Sequence, residues 1–174
     1  MCAETKHPIR GILAGAAGGL VAAWLMNQFT AGPGKQIAQA VQTPEENQQQ
    51  AEHKDDPDAT MKAADAIAAA ITGGQHLTYE QEQKGGPIVH YTFGALMGGL
   101  YGGLAEYSSI ARSGFGTTFG GVLFAGADLL AVPAFHLAPP LEQTPPETLT
   151  TPFLAHMVYG VTTDLVRRLV RKVL

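Results

Sequence analysis

The chain has 174 residues, of which 45% are hydrophobic and only 15% charged, and its formal net charge is −4. A soluble domain usually carries about 25% charged residues, so the composition argues against an ordinary water-soluble globule. The acidic balance, with no basic stripe interleaved with aromatics, argues against a nucleic-acid partner. The single cysteine, Cys2, excludes an internal disulfide framework.

The charges are crowded between four apolar stretches, each near the 20 residues that a helix needs to cross hydrocarbon. The first covers residues 9–31. Lys6 and Arg10 lead into it, and the absence of a small-residue cleavage site marks it as a permanent span rather than a secretory signal. Met1-Cys2 is read without a lipoprotein signal. Gly11, Gly15 and Gly19 recur every fourth residue along this stretch, a spacing that lets helix backbones approach in lipid.

A long polar segment, residues 32–86, follows. Its centre, 42–58, has little that could build a core and is expected to be mobile or loosely ordered. Residues 58–72 predict a helix, capped by Asp58 or Thr60 and ended by Gly73-Gly74. Met61, Ala64, Ile67, Ala68 and Ile71 share one face, so this helix would lie on the membrane surface, over the mouth of the bundle, or simply on its neighbours.

The second span is placed at 87–110, with a second small-residue stripe at Gly94, Gly98 and Gly102. The two stripes predict the seam where the first and second helices meet each other or a neighbouring subunit. A short turn at 108–114 leads to the third span, 115–138. Asp128 sits near its middle, close to Pro133, which removes a backbone donor and can kink a helix. An ionisable group in a bilayer costs roughly 2.5–3.5 kcal/mol, so Asp128 should face the interior and find a donor. Asn27, Tyr101, Thr117 and the histidines are candidates. The linker at 138–152 holds five prolines and is expected to be stiff and extended. The fourth span, 151–166, runs into a basic tail. There Asp164 meets Arg167 and Arg168 at the spacing of helix-surface ion pairs, and Glu106 is read as structural too.

Lys6, Arg10, Arg112 and the arginines after the fourth span fall on one side of such a bundle. The long loop, with nine acids against four lysines, falls on the other. The positive-inside rule then places both termini in the cytoplasm and the long loop in the periplasm. In this topology His90, His136 and His156 open or close spans at similar depth on the outer side, with His53 and His76 in the loop beside them. Imidazole titrates near pH 6.5 and ligates metals. With Asp128, His90, His136 and His156 form a candidate proton-responsive or ligand site. Helix-end histidines also bind carbonyls with no further role, and no His-x-x-x-His spacing favours a metal.

The chain also echoes itself. His90-Tyr91-Thr92-Phe93-Gly94 parallels His156-Met157-Val158-Tyr159-Gly160, and Gly11/Gly15 parallels Gly116/Gly120. This pattern fits two helical hairpins of like orientation, or a shared packing grammar. No nucleotide loop, catalytic triad, cysteine metal cluster or zinc-protease helix is present.

The run Val132-Pro133-Ala134-Phe135-His136-Leu137-Ala138-Pro139-Pro140, then His156-x-Val158, then Asp164 with Arg167-Arg168, resembles the end of the YagU-type bacterial inner-membrane proteins. The resemblance is specific over residues 116–172 and loose elsewhere. It implies a multi-spanning inner-membrane protein and supplies no catalytic residues.

Together these features describe an all-α, single-domain integral membrane bundle of about four transmembrane helices, non-enzymatic, with lipid as its main partner. The leading expectation is a proton-responsive role in envelope homeostasis without a cofactor. The alternatives are an accessory subunit docked on a larger membrane complex, a haem or transition-metal site through His90, His136 and His156, and a small oligomeric channel or transporter.

Overall fold

A computed structural model describes residues 7–174, so Cys2 and Lys6 lie outside the described residues. Among those described, the regular structure is helical throughout. In chain order the helices are α1 (Pro8–Ala31), α2 (Pro33–Val41), α3 (Pro44–Glu52), α4 (Ala59–Thr72), α5 (Tyr79–Ala105), α6 (Ser113–Ala134) and α7 (Thr150–Arg171). α1 packs along both α5 and α7, while α5 and α7 barely touch each other; α6 leans on α7.

Glycine explains the closeness of the α1–α5 seam. A methyl group built at Gly15 would overlap the Gly98 carbonyl and come within 2.8 Å of the Gly102 Cα. One at Gly19 would overlap the Gly94 carbonyl, and one at Gly102 the Gly11 carbonyl. Both predicted stripes therefore face each other within one chain, backbone against backbone. Gly18 turns a second side of α1 to Thr163 and Arg167 of α7. In the other hairpin Gly116 and Gly120 of α6 abut Gly160 and His156 of α7. The echo thus holds in space with a different register. With Gly94 set against Gly160, the partners Gly19 and Ala23 correspond to Gly116 and Gly120, two turns on from Gly11 and Gly15.

The distribution of side-chain size is the reverse of a water-soluble core. The buried residues of α1 are Gly11, Ala14, Gly15, Gly18, Gly19, Ala22 and Ala23. Leu13, Leu20, Val21 and Trp24 face outward, as do Ile88, Leu96, Leu100 and Leu104 of α5 and Leu165 and Leu169 of α7. Large apolar patches exposed on this scale call for an apolar surround. α1 and α6 are long and apolar enough to cross a membrane. α5 and α7, at 27 and 22 residues, have the length, but Gly, His, Tyr and Thr dilute their apolar character.

The segment expected to be loose is helical instead. Thr43 and Glu46 form a reciprocal capping box at the start of α3, with Pro44 in its first turn. α3 buries no residue, so local capping specifies it rather than packing. α4 begins where Asp58 accepts hydrogen bonds from the Thr60 and Met61 amides, and it ends at left-handed Gly73. Only the first half of its apolar face is used. Met61 and Ala64 settle on Gly86 and Gly85 of α5, while Ile67 and Ile71 stay exposed. Asp65 accepts from His76 Nδ1 (2.8 Å) and the Leu77 amide (2.7 Å), tying α4 to the chain that enters α5.

The proline-rich linker is not one extended strut. Pro140 and Pro145 are extended, but each starts a short 3₁₀ turn, Leu141–Gln143 and Pro146–Leu149. α5 is also displaced from the expected span. It starts eight residues earlier, on a capping box of Thr78 and Gln81, and ends at Ala105 rather than Ile110.

Candidate functional site

Beneath the first turns of α4, the bundle opens into a mainly apolar cavity of about 390 Å³. α1 contributes Ala23 and Met26, α5 Phe93, and α6 Leu123. α4 covers one side with Ala59, Thr60 and Ala63. His90, Asp128, His156 and Tyr159 are the titratable groups on its wall.

α6 places Asp128. Between Ala125 and Ala131 the helix widens to π-helical spacing, and Asp128 lies inside that segment. Pro133 follows directly. Its missing N–H and the bulk of its ring disfavour a regular ladder one turn earlier, and a π-bulge is a common way to absorb the mismatch. The resulting rotation points Asp128 at α7, where its Oδ2 lies 3.6 Å from Nδ1 of His156. His156 is buried and Asp128 about 30% exposed.

Backbone carbonyls hold both cavity histidines. His156 Nδ1 lies 2.9 Å from the Pro152 carbonyl oxygen, one turn back in α7. A carbonyl only accepts, so Nδ1 carries the hydrogen and donates, leaving Nε2 as the position that gains or loses a proton. His90 Nε2 donates to the Ala23 carbonyl at 3.2 Å, crossing to α1. Such anchoring is the ordinary behaviour of helix-end histidines. The proximity of Asp128 sets His156 apart.

His136 does not join them. α6 ends at Ala134, four residues short of the expected boundary, and His136 takes a left-handed backbone conformation (φ 57°) in the turn beyond it. Its side chain is exposed and does not line the cavity. The loop histidines pair locally, His53 with Asp56 and His76 with Asp65. Among the described residues no group of three or more His, Cys, Asp or Glu side chains is arranged to hold a metal ion. The shared three-histidine metal or haem site is therefore not assembled, because α6 unwinds before His136.

Asn27, Tyr101 and Thr117 are not the partners of Asp128. Thr117 donates to the Gly114 carbonyl. Tyr101 stacks on Phe119 (4.5 Å between centroids), and Phe119 in turn touches Tyr159. The sequence marks Tyr159 only as the aromatic of its repeated motif. In fact its hydroxyl donates to the Gly94 carbonyl (2.5 Å), and its ring lines the cavity. Its place in the repeated His-x-x-aromatic-Gly pattern was the available signal.

The far end of the bundle is built from charge. Asp164, almost fully buried, receives Arg167 at 3.1 Å and Arg168 at 2.6 Å. Glu106 receives Arg171 at 2.9 Å, a contact between α7 and the residue after α5, and also the His7 amide at 3.2 Å. Arg167 also lies over the Tyr101 ring, and Arg168 over Phe115. The Tyr101–Phe119–Tyr159 stack thus stands between the charged end and the cavity.

A family model described as a protein of unknown function (DUF1440) matches residues 36–165, about three quarters of the chain. The match takes in the cavity walls contributed by α4 to α7 and leaves out α1. No curated protein and no solved structure matches the chain. On the extent of that match the chain belongs to the DUF1440 family, the YagU-like proteins.

Proposed function

We propose that the chain is a four-span protein of the bacterial inner membrane, with both termini cytoplasmic and α2 to α4 on the periplasmic side, and that it acts without catalysis as a proton-responsive element in envelope homeostasis. The inside-out arrangement of small and large apolar side chains supports the membrane reading. It extends to α5 and α7, whose outer faces carry leucines and isoleucine at the same level of exposure as α1. The basic residues gathered at one end support the orientation.

The observation that carries the proton role is the Asp128–His156 approach on the wall of a cavity covered by α4. A carboxylate and an imidazole attract most strongly when the first is ionised and the second protonated. Acidification from neutral pH would therefore draw α6 toward α7 and change the cavity under α4. His90 faces the same space and adds a second site for charge.

Amide hydrogen exchange in α4, read on the detergent-purified protein between pH 8 and 5 and corrected for intrinsic exchange rates, tests this. The wild type should change protection across that range, whereas Asp128→Asn and His156→Gln should not. Equal profiles for all three proteins would remove the proton role. Recovery of the wild-type chain without detergent would remove the membrane reading.

A further inference from the structure

A second cavity lies at the opposite end of the bundle. It is an open groove of about 870 Å³ between the chain that follows α5 and the last turns of α7. Arg112, Arg167, Arg168, Arg171 and Lys172 line it, with Glu106 the acid among the lining residues and Asp164 just behind it. Five cations against two carboxylates leave three positive charges in excess. Neither acid has capacity for all of them. Asp164 is taken up by Arg167 and Arg168, and Glu106 by Arg171 and the His7 amide. The side chains of Arg112 and Lys172 make no ion pair or hydrogen bond among the described residues, and both are exposed at the groove.

Arg167 is 94% buried and spends its charge inward, on Asp164 and over the Tyr101 ring. Arg112, Arg168 and Lys172 carry the donors open to the groove. The chemistry that satisfies guanidinium and ammonium donors gathered in this way is a phosphate oxygen. The remaining walls say what the phosphate is attached to. Leu165 and Leu169 line the same groove and are more than half exposed, continuing the outward-facing apolar surface of α7. A site with a cationic floor and an apolar side leading along a spanning helix fits a headgroup with its acyl chains.

We infer that this groove binds the phosphate of an anionic membrane lipid, with Arg112, Arg168 and Lys172 around the headgroup and the acyl chains along Leu165 and Leu169. Arg168 keeps its bond to Asp164 through Nη2 and offers its remaining donors. The site is independent of the Asp128–His156 pair but rests on the proposal that the helices sit in lipid. Basic pockets at the end of a bundle recognise anionic headgroups by this combination of charge and access.

Native mass spectrometry of the full chain, released from neutral detergent with added phosphatidylglycerol, phosphatidylethanolamine or inorganic phosphate, tests the inference. Phosphatidylglycerol should be retained in preference to phosphatidylethanolamine, and millimolar inorganic phosphate should not displace it. The double variant Arg112→Gln/Lys172→Gln removes exposed, unpartnered cations and should keep the wild-type melting temperature. It should lose about 30-fold in phosphatidylglycerol retention, at about 1 kcal/mol per cation. Equal retention of the two lipids, or a double variant that holds phosphatidylglycerol as well as wild type, would overturn it. Displacement by inorganic phosphate would make this a soluble-anion site and overturn the lipid assignment. Recovery of the protein from the membrane fraction decides the membrane reading separately.

Discussion

The two ends of this bundle handle buried charge in opposite ways. At the basic end each carboxylate has short bonds to arginine: Asp164 to Arg167 and Arg168, Glu106 to Arg171. At the other end Asp128 has one titratable neighbour, His156, 3.6 Å away, in front of a hollow. The first arrangement uses partners that stay cationic at any physiological pH, within α7 at Asp164 and between α7 and the end of α5 at Glu106, and so keeps its geometry constantly. The second uses a partner whose charge depends on pH, at a separation too long for a hydrogen bond. A structural clamp and, on the proposed reading, a responsive element are thus built from the same kind of acid, and what differs is the partner and the packing around it.

Both ends depend on the glycine seam between them, so breaking it should have the largest effect. Gly98→Leu would drive a side chain into the Gly15 carbonyl and the Gly19 backbone. We expect a loss of at least about 3 kcal/mol, the upper range for overpacking, seen as a collapse in the yield of monodisperse protein. A normal yield would mean that the seam can open. Asp164→Ala comes next. It leaves Arg167 buried without its carboxylate, and breaking such a pair costs about 3 kcal/mol. Its melting temperature should fall well below that of Arg168→Gln, whose half-exposed guanidinium is worth under about 1 kcal/mol. Equal effects would show that burial of the Asp164–Arg167 pair does not stabilise this end.

Asp128→Asn should be milder still, within about 1 kcal/mol at neutral pH, but should flatten the pH dependence of the melting temperature between pH 8 and 5. A variant as pH-sensitive as the wild type would equate the two ends.

Asp65→Asn should have the smallest effect, and it should fade in acid. The hydrogen bond from His76, and then that from the Leu77 amide, hold the Asp65 carboxyl below its usual value. A folded-state pKa below the unfolded one stabilises fully above the unfolded value and is lost as pH falls through the folded one. The substitution should therefore loosen α4 slightly at pH 7, where the wild type holds the whole contribution, and the two proteins should converge below about pH 4, where the wild-type carboxyl is protonated, measured by proteolysis near Gly73-Gly74.

The parts of the fold that were legible in the sequence are those specified locally. The spacing of Gly11, Gly15 and Gly19 against Gly94, Gly98 and Gly102 needs no knowledge of the far chain beyond its own periodicity. Asp58 and Gly73 mark both ends of α4 by backbone chemistry alone. Thr43-Pro44-Glu45-Glu46 carried an equally local signal for α3, which the polarity of the surrounding segment obscured.

The candidate site was legible in part. Asp128 and His156 stand out as ionisable groups within apolar stretches, but their meeting depends on the π-helical turn in α6. Pro133 shows that the ladder must yield somewhere, not where it widens. His136 looked equivalent to the other two histidines until the helix ended before it. The Glu106–Arg171 contact joins residues 65 positions apart, with no spacing rule to announce it.

The position of α1 has one more consequence, for how the protein is assembled. It precedes α5 and α7 in the chain, and both lie against it rather than against each other. On the proposed membrane reading, a helix inserted ahead of these two would act as a mould, its glycines offering grooves on two sides before they arrive. Each newcomer then has a docking surface already waiting, and a chain deprived of α1 would be left with two unfilled furrows.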